Sequence, residues 1–175
     1  LAVNQFRDNV HPHGERYLRK FELNDTATWE YDVLGVRVTK QIQLLWKQNI
    51  AGVRYTIEAG DANRQLEFRV WPFFALRDFH GLRRAAGYDM PASVVERTLS
   101  VSSDQITANV SCDAGEWVKQ PAWWYGHVYP IETDRGQDDT EDLFTPGRFT
   151  ITFKGKRQIT FWTSPDELIT PPNWD

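Results

Sequence analysis

A chain of 175 residues suits one domain and is long enough to bury a sizeable core. Its hydrophobic fraction of 41% and charged fraction of 25% are those of an ordinary globular protein. The formal net charge of −4, with no basic patch in the sequence, argues against a nucleic-acid binder. The aromatic fraction of 14%, with eight Trp, is unusual and favours strands and large buried surfaces.

The cysteine content and the chain start bear on the expected surroundings. Cys112 is the only cysteine, so no internal disulfide can form and a cytoplasmic location is expected. The first residues, LAVNQFRDNV, do not resemble a signal peptide, and no stretch approaches the ~18 apolar residues of a membrane span. We therefore expect no membrane partner. Because the single methionine is Met90, we also expect the chain to be a piece of a longer protein.

Alternation of apolar and polar residues dominates the chain and predicts half-buried antiparallel strands. In chain order it occurs in VRVTKQIQLLW, where Lys40 interrupts the apolar face, then in GVRYTIEA and RQLEFRVW. RTLSVSS and QITANVSC follow, separated by a polar turn near Asp104. RFTITFK and RQITFWTS come last, and Gly155 between them favours a tight hairpin. We expect roughly nine or ten strands in an all-β fold, a β-sandwich of two antiparallel sheets packed face to face.

Helical signals are scarce. PASVVERT is compatible with a single helical turn. SPDEL begins like a helix. Ser164 suits the N-cap and Pro165 suits the first helical position. The two acids that come next, Asp166 and Glu167, suit the positive end of the helix dipole. The double proline in ITPPNWD is typical of a linker. These signals divide the chain into a β-sandwich domain, residues 1–163, and the start of a helical linker, residues 164–175.

The stretch DRGQDDTEDLFTPG, residues 134–147, crowds acids together and ends in an apparent Pro-Gly turn. Two carboxylates suit glycoside hydrolysis, but a catalytic pair normally converges from different elements. Calcium takes six to eight oxygen ligands, yet the spacing does not match an EF-hand loop. The third interpretation is a hydrated turn in which Arg135 pairs with the acids. All three remain open on the residues alone.

Two short histidine-containing motifs were considered for binding. In RDFH, an ion pair between Arg77 and Asp78 would fix a loop, and His80 would be able to hydrogen-bond a hydroxyl. His11 and His13 lie two residues apart, but a zinc site needs further ligands in a tetrahedral array. We therefore expect no metal and no cofactor.

The segment WWYGHVYPIE is dense in aromatic residues. Trp123 and Trp124 are neighbours, so in a strand they face opposite sides. One of them can then fill the core while the other faces a cleft.

The order of several motifs resembles a known family. VHPHGERYLRKFEL, RDFH and WWYGHVYPIETDRGQDDTEDLFTPGRF, between Val10 and Phe149, resemble the N-terminal domain of bacterial and archaeal glycogen debranching enzymes of the amylo-α-1,6-glucosidase type. The long segment is the most specific part of the resemblance, because its aromatic, acidic and Pro-Gly residues all stand in register with those of the family.

The resemblance implies a β-supersandwich that precedes an (α/α)6 barrel, and it implies that the barrel carries the catalytic carboxylates that hydrolyse α-1,6 bonds. The present chain has no helical region of that size. We therefore assign no catalytic residue to it and expect this chain alone to be inactive as a glucosidase.

The leading hypothesis is a non-catalytic domain that supports glucan binding and docking of the barrel. Its expected partners are an α-glucan and the C-terminal catalytic domain of the same parent chain. The alternatives are a stand-alone carbohydrate-binding module and a sugar mutarotase or epimerase, which would need an acid–base pair such as His80 or His127 with Glu132. The candidate residues for substrate binding or a domain interface are Arg77, Asp78, His80, Trp124, Tyr125, Tyr129, Glu132, Arg135, Asp138, Glu141 and Asp142.

Overall fold

The structure is a computed structural model that describes residues 1–79, 81–86, 90–103, 106–166 and 172–174. Strands dominate it, with one 3-10 helix at Gly14–Tyr17 and one short helix, α1, at Pro130–Asp134. The strands are β1 Asn4–Gln5, β2 Val10–His11, β3 Leu18–Leu23, β4 Ala27–Val33, β5 Val36–Leu44, β6 Ala51–Ala59, β7 Gln65–Val70, β8 Ala92–Val95, β9 Thr98–Ser103, β10 Ile106–Cys112, β11 Glu116–Val128, β12 Thr140–Lys154 and β13 Lys156–Ser164.

The strands form two main antiparallel sheets. The larger has eight strands in the order β3-β4-β5-β6-β13-β10-β9-β8, and the smaller has three in the order β11-β12-β7. β1 and β2 form a separate two-stranded ribbon. The predicted all-β sandwich is thus confirmed, with more strands in the described chain than the nine or ten expected from the alternation.

The core lies between the two sheets. Phe149 of β12 is almost fully buried and its ring packs against Phe161 of β13 at 5.5 Å between centroids. Tyr55 of β6 contacts Phe68 of β7 in the same way at 4.9 Å. Burying one such aromatic side chain contributes about 1.5–3 kcal/mol, so these rings hold the small sheet against the large one.

Gly155 does not close a hairpin, and that prediction was wrong. β12 belongs to the three-stranded sheet, whereas β13 pairs with β6 and β10 in the eight-stranded sheet. The chain crosses from one sheet to the other at Gly155, whose φ is +64°. A Cβ atom there would lie 2.7 Å from the Ala62 carbonyl oxygen, so the close approach requires glycine.

The segment PASVVERT contains a strand and not a helical turn. β8 pairs with β9 through Ala92↔Val101 to Val95↔Thr98. Glu96 has a positive φ of 53° in the tight turn between the two strands. The neighbouring β-branched residues Val94 and Val95 suit the strand, because their side chains are stiff and pack well on a pleated surface.

Trp174, near the C-terminus, packs on the large sheet. The Asp166 N–H donates to Ser164 Oγ at 3.0 Å, the bond expected of a capping serine. The helix predicted after Ser164 falls on residues that lie outside the described ranges. Trp174 packs on Trp162, with ring centroids 5.6 Å apart, and the Arg54 guanidinium lies 4.4 Å from the Trp174 ring centroid.

None of the helices in the described ranges has the length and apolar character needed to cross a membrane.

Candidate functional site

Glu141, near the start of β12, is the centre of a buried polar cluster. Its side chain is only 1% exposed. Arg77 pairs with both of its carboxylate oxygens, with Nη2 to Oε2 at 3.2 Å. The Arg83 backbone N–H donates to Oε1 at 2.9 Å, and the Tyr129 hydroxyl donates to Oε2 at 2.5 Å. One carboxylate therefore ties β12 to the segment before α1 and to the long loop after β7.

The surroundings of Glu141 keep it ionised. Burial alone would raise the pKa of its carboxyl, but the hydrogen bonds from Arg77, Tyr129 and Arg83 outweigh burial, and the pKa lies below its ordinary value. Burial and the bond to Glu141 raise the pKa of Tyr129 to about 12. The cluster at neutral pH thus holds a carboxylate, a guanidinium and a neutral phenol, with opposite charges paired.

Asp142 satisfies the backbone of two neighbouring segments. Its Oδ1 accepts from the Gly126 N–H at 2.9 Å, within a register shift between β11 and β12. Its Oδ2 accepts from the Ala85 N–H at 3.0 Å. Asp142 therefore secures both the bulge of β11 and the end of the long loop. We call Arg77, Tyr129, Glu141 and Asp142 the carboxylate cluster.

The remaining acids of the stretch differ from these two. Asp138 is exposed, and Asp139 accepts from the hydroxyls of Thr133 and Thr140 at 2.5 and 2.7 Å. Arg135 pairs with Glu132 of α1 at 3.0 Å, on the surface. The third interpretation, a hydrated turn, therefore fits Asp138, which is exposed, but not Glu141, which is buried. The described ion pair of Arg135 is to Glu132 of α1.

The Pro-Gly pair at the end of the stretch is not a turn. Pro146 and Gly147 lie buried inside β12. Pro146 needs no ladder hydrogen bond there, because β11 shifts register between Lys119 and Ala122 and β7 pairs only from Phe149 onward. A Cβ on Gly147 would lie 2.2 Å from the Val118 carbonyl oxygen, so the two strands approach too closely for any larger residue.

The loop that carries RDFH is fastened through Arg77. Arg77 binds Glu141 and also donates to the backbone carbonyls of Asp78 and Phe79, at 3.1 and 3.2 Å. The Arg77–Glu141 pair therefore fixes the loop to β12. The sequence analysis had suggested an Arg77–Asp78 ion pair for this role. His80 lies outside the described residues.

Arg83 is a member of this region that the sequence analysis missed. Its side chain is buried, and Nε donates to the Ala75 carbonyl at 2.8 Å. The Asp142 N–H donates to the Arg83 carbonyl at 2.8 Å. No local pattern marks an arginine that folds back on its own loop, so only the tertiary structure identifies it.

Large apolar side chains stand exposed on the segments that the carboxylate cluster holds. Phe79 follows Arg77 by two residues and is 86% exposed. Tyr125 precedes Gly126 and Ile131 follows Tyr129, and each is 66% exposed. The cluster thus fixes the backbone of three segments that each present an apolar side chain to solvent.

Trp123 and Trp124 do face opposite sides, as predicted. Trp123 packs against Phe144 at 5.3 Å between centroids and borders the core. Trp124 packs edge-on against Phe73 at 5.0 Å and lines an open groove.

This groove, which we call the aromatic groove, has a volume of about 500 Å3. It runs between the N-terminal segment, the inner face of β5 and β6, and the end of β7. Its aromatic lining comes from Tyr55, Phe68, Trp71, Phe73 and Trp124. Its other lining residues are Leu1, Ala2, Asn4, His11, Pro12, Lys40, Arg69 and Val70.

His127 and Glu132, weighed above as an acid–base pair, have different surroundings. His127 is buried, with its ring centroid 4.9 Å from that of Phe6 and 6.0 Å from that of Phe73. Burial lowers the pKa of His127, and the smaller opposing effect of the Trp124 backbone does not offset this. Glu132 lies on α1 and accepts from Arg135.

Within the described part of the chain, no group of three or more His, Cys, Asp or Glu residues is arranged to hold a metal ion.

Comparison with known proteins defines the class of this domain. The family described as "Glycogen debranching enzyme N terminal" matches residues 1–160. The chain belongs to this family, as the ordered motifs predicted. No curated protein matches the sequence.

Among solved structures, the chain is similar to a bacterial glucoamylase complexed with acarbose, at 13% sequence identity and a TM-score of 0.48. The match covers 94% of this chain and 26% of that chain, so this chain spans about a quarter of the glucoamylase's length.

Proposed function

We propose that this N-terminal domain of a glycogen debranching enzyme binds an α-glucan in its aromatic groove. We further propose that it docks against an (α/α)6 catalytic barrel through the segments that the carboxylate cluster fixes. The observation that carries the proposal is the groove itself, where five aromatic side chains and several hydrogen-bonding groups share one opening.

The lining of the groove fits the two kinds of surface on a glucose unit. Aromatic faces are flat and apolar, and they suit the apolar faces of a sugar ring. Asn4 and His11 offer polar groups to the hydroxyls at the ring edge. Pockets for small ligands typically combine mostly apolar walls with a few polar groups, at volumes of about 300–1,000 Å3.

Part of the groove wall is formed before any ligand arrives. Phe73 packs edge-on against Trp124, and Tyr55 packs against Phe68, so these rings have little freedom to lose on binding. Trp71 is about one-third exposed, and the guanidinium of Arg148 lies 5.7 Å from its ring centroid. Trp71 is therefore the groove aromatic whose removal disturbs the core least.

Calorimetric titration with a maltooligosaccharide tests glucan binding. Trp71→Ala is expected to weaken binding by about 1–3 kcal/mol, on the scale known for nucleobases stacked on aromatic side chains. Trp46→Ala is the matched control, because Trp46 is 84% exposed and does not line the groove. No heat of binding with the wild-type domain, or equal losses in the two variants, would contradict the proposal.

The docking part of the proposal rests on Phe79, Tyr125 and Ile131. Single exposed apolar residues are common, but these three stand on segments held by one buried cluster. A rigid apolar surface is a good partner for another domain, because little side-chain and loop entropy is lost on contact.

A binding assay with a separately expressed (α/α)6 glucosidase domain tests docking. Replacing Phe79, Tyr125 and Ile131 together by Ser is expected to abolish association. Replacing the exposed residues Leu34, in the turn between β4 and β5, and Leu44, in β5, by Ser is expected to leave it intact. Association that survives the triple change would rule out this surface.

A further inference from the structure

Lys40 is the residue of the aromatic groove that neither the fold nor neutral glucan binding explains. It interrupts the apolar face of β5, and it lies between Trp29 on β4 and Tyr55 on β6 in the paired strands. Its ammonium nitrogen is 5.2 Å from the Trp29 ring centroid. The side chain is half-buried and lines the groove together with Tyr55.

Within the described ranges, Lys40 has no carboxylate partner. The described lining of the groove contains three basic residues, His11, Lys40 and Arg69, and no Asp or Glu. Arg69 already pairs with Glu67 at 2.5 Å. Among the described side chains that line the groove, Lys40 is therefore a cation without a carboxylate partner.

A partly desolvated ammonium without a counter-ion is unfavourable. The Trp29 face offsets only part of the cost, about 0.5–1 kcal/mol for a cation over an aromatic ring at a surface. Burial also lowers the pKa of Lys40. An anionic group bound in the groove would supply the missing partner and hold Lys40 in its charged form.

We propose that the aromatic groove takes a sugar phosphate monoester, with Lys40 as the counter-ion of the phosphate. This rests on the proposed function, because the aromatic walls bind the sugar. A phosphate monoester carries close to two negative charges at neutral pH. Lysine presents a compact charge with three donors and binds phosphate as a point charge.

Two sources have this chemistry, a phosphate ester on an α-glucan chain and a small sugar phosphate. The test therefore compares four probes by calorimetric titration: a maltooligosaccharide, the same oligosaccharide carrying one phosphate monoester, glucose 6-phosphate and glucose. The phosphorylated member of at least one pair is expected to bind about tenfold or more tightly than its neutral counterpart. The pair with the larger preference identifies the source.

Lys40→Met keeps an unbranched apolar stem beside Trp29 and removes the charge. It is expected to abolish the preference for phosphate while leaving the neutral oligosaccharide within about twofold of its wild-type affinity. Lys154→Met, an exposed position outside the groove, is the matched control and should retain the preference. Lys40→Arg should retain most of it, which keeps the test decisive if Lys40→Met folds poorly.

Equal affinities for both members of each pair, with neutral glucan still bound, would overturn the phosphate site and leave glucan binding standing. A preference that persists in Lys40→Met would overturn the role of Lys40. Absence of binding by all four probes would overturn both proposals. Binding of the phosphorylated probes alone, lost in Lys40→Met, would support the phosphate site and contradict the neutral-glucan proposal.

Discussion

Replacing Glu141 with Ala tests whether the carboxylate cluster holds the domain together. The change removes a side chain that accepts from Nε and Nη2 of Arg77, from the Arg83 N–H and from the Tyr129 hydroxyl. Breaking a buried ion pair by removing one partner typically costs about 3–5 kcal/mol. The Arg77 side chain remains 24% exposed, so water reaches it in the variant and the lower half of that range is expected.

The free energy of unfolding, from urea denaturation at neutral pH, measures this cost. The denaturant slope should not change, because the same surface is exposed on unfolding. Asp138→Ala is the matched control, since it removes an exposed acid from the same stretch, and it should change the stability by less than about 0.5 kcal/mol. A loss below about 1 kcal/mol in Glu141→Ala would refute the central role of this carboxylate.

A double-mutant cycle separates the ion pair from the other bonds. Arg77→Ala and Glu141→Ala should be non-additive, with a coupling free energy of about 1–3 kcal/mol, because the side chains are in direct contact. Additive losses would mean that Arg77 and Glu141 stabilise the fold independently.

The pH dependence has a defined sign. The folded-state pKa of Glu141 lies below its unfolded value, so its contribution is present above the unfolded pKa and is lost as the pH falls through the folded pKa. The stability difference between wild type and Glu141→Ala should therefore be largest near neutral pH and shrink in acid. A difference that grows in acid would contradict this reasoning.

Three further predictions concern other parts of the fold. Gly147→Ala should cost about 1–3 kcal/mol of unfolding free energy through its clash with Val118, while Gly60→Ala, with nothing within 4 Å of the added Cβ, should cost much less; equal effects would refute the close approach of β11 and β12. Tyr129 and Tyr55 each have a pKa raised to about 12, so their contribution to stability is intact below the unfolded pKa of about 10 and is lost as the pH rises through 12. Absorbance titration should detect phenols ionising near 12 that disappear in Tyr129→Phe and Tyr55→Phe, and ordinary titration of every tyrosine would contradict it. Cys112 is buried with its pKa raised to about 12, so a thiol reagent should label it only on unfolding, and rapid labelling of the native chain would show that the site opens.

The strands were predictable because their side chains obey a local rule. In β5, β6 and β7, successive side chains point alternately towards the core and the outside. Apolar and polar residues alternate along the sequence with the same period of two. The pairing of these strands was not predictable in the same way. Gly155 shows why: a glycine with positive φ serves a hairpin and a crossover between sheets equally well, and the choice depends on which strands β13 meets elsewhere.

In the candidate site, too, some features were predictable from the sequence and others were not. The alternation that buries Phe149 and Ile151 does not continue back along β12, where four successive residues from Phe144 to Gly147 are buried, so it does not identify Glu141. The Pro146-Gly147 pair normally ends a strand, so the sequence did not predict that β12 extends back to Glu141. Their place inside β12 depends on the register shift of β11, which no local pattern in either strand predicts.

By itself the sequence determined the all-β class, the faces of the main strands and the family of the domain, because these depend on local alternation and on motifs that keep their order. The tertiary structure decided that Glu141 is buried while Asp138, three residues earlier, faces water. It also decided that Lys40 shares a groove with Trp71 and Trp124, from strands and loops far apart in the chain. An alternating pattern specifies which side of a strand a residue occupies, but the neighbours on that side come from other strands, and their burial and charge decide what the residue does.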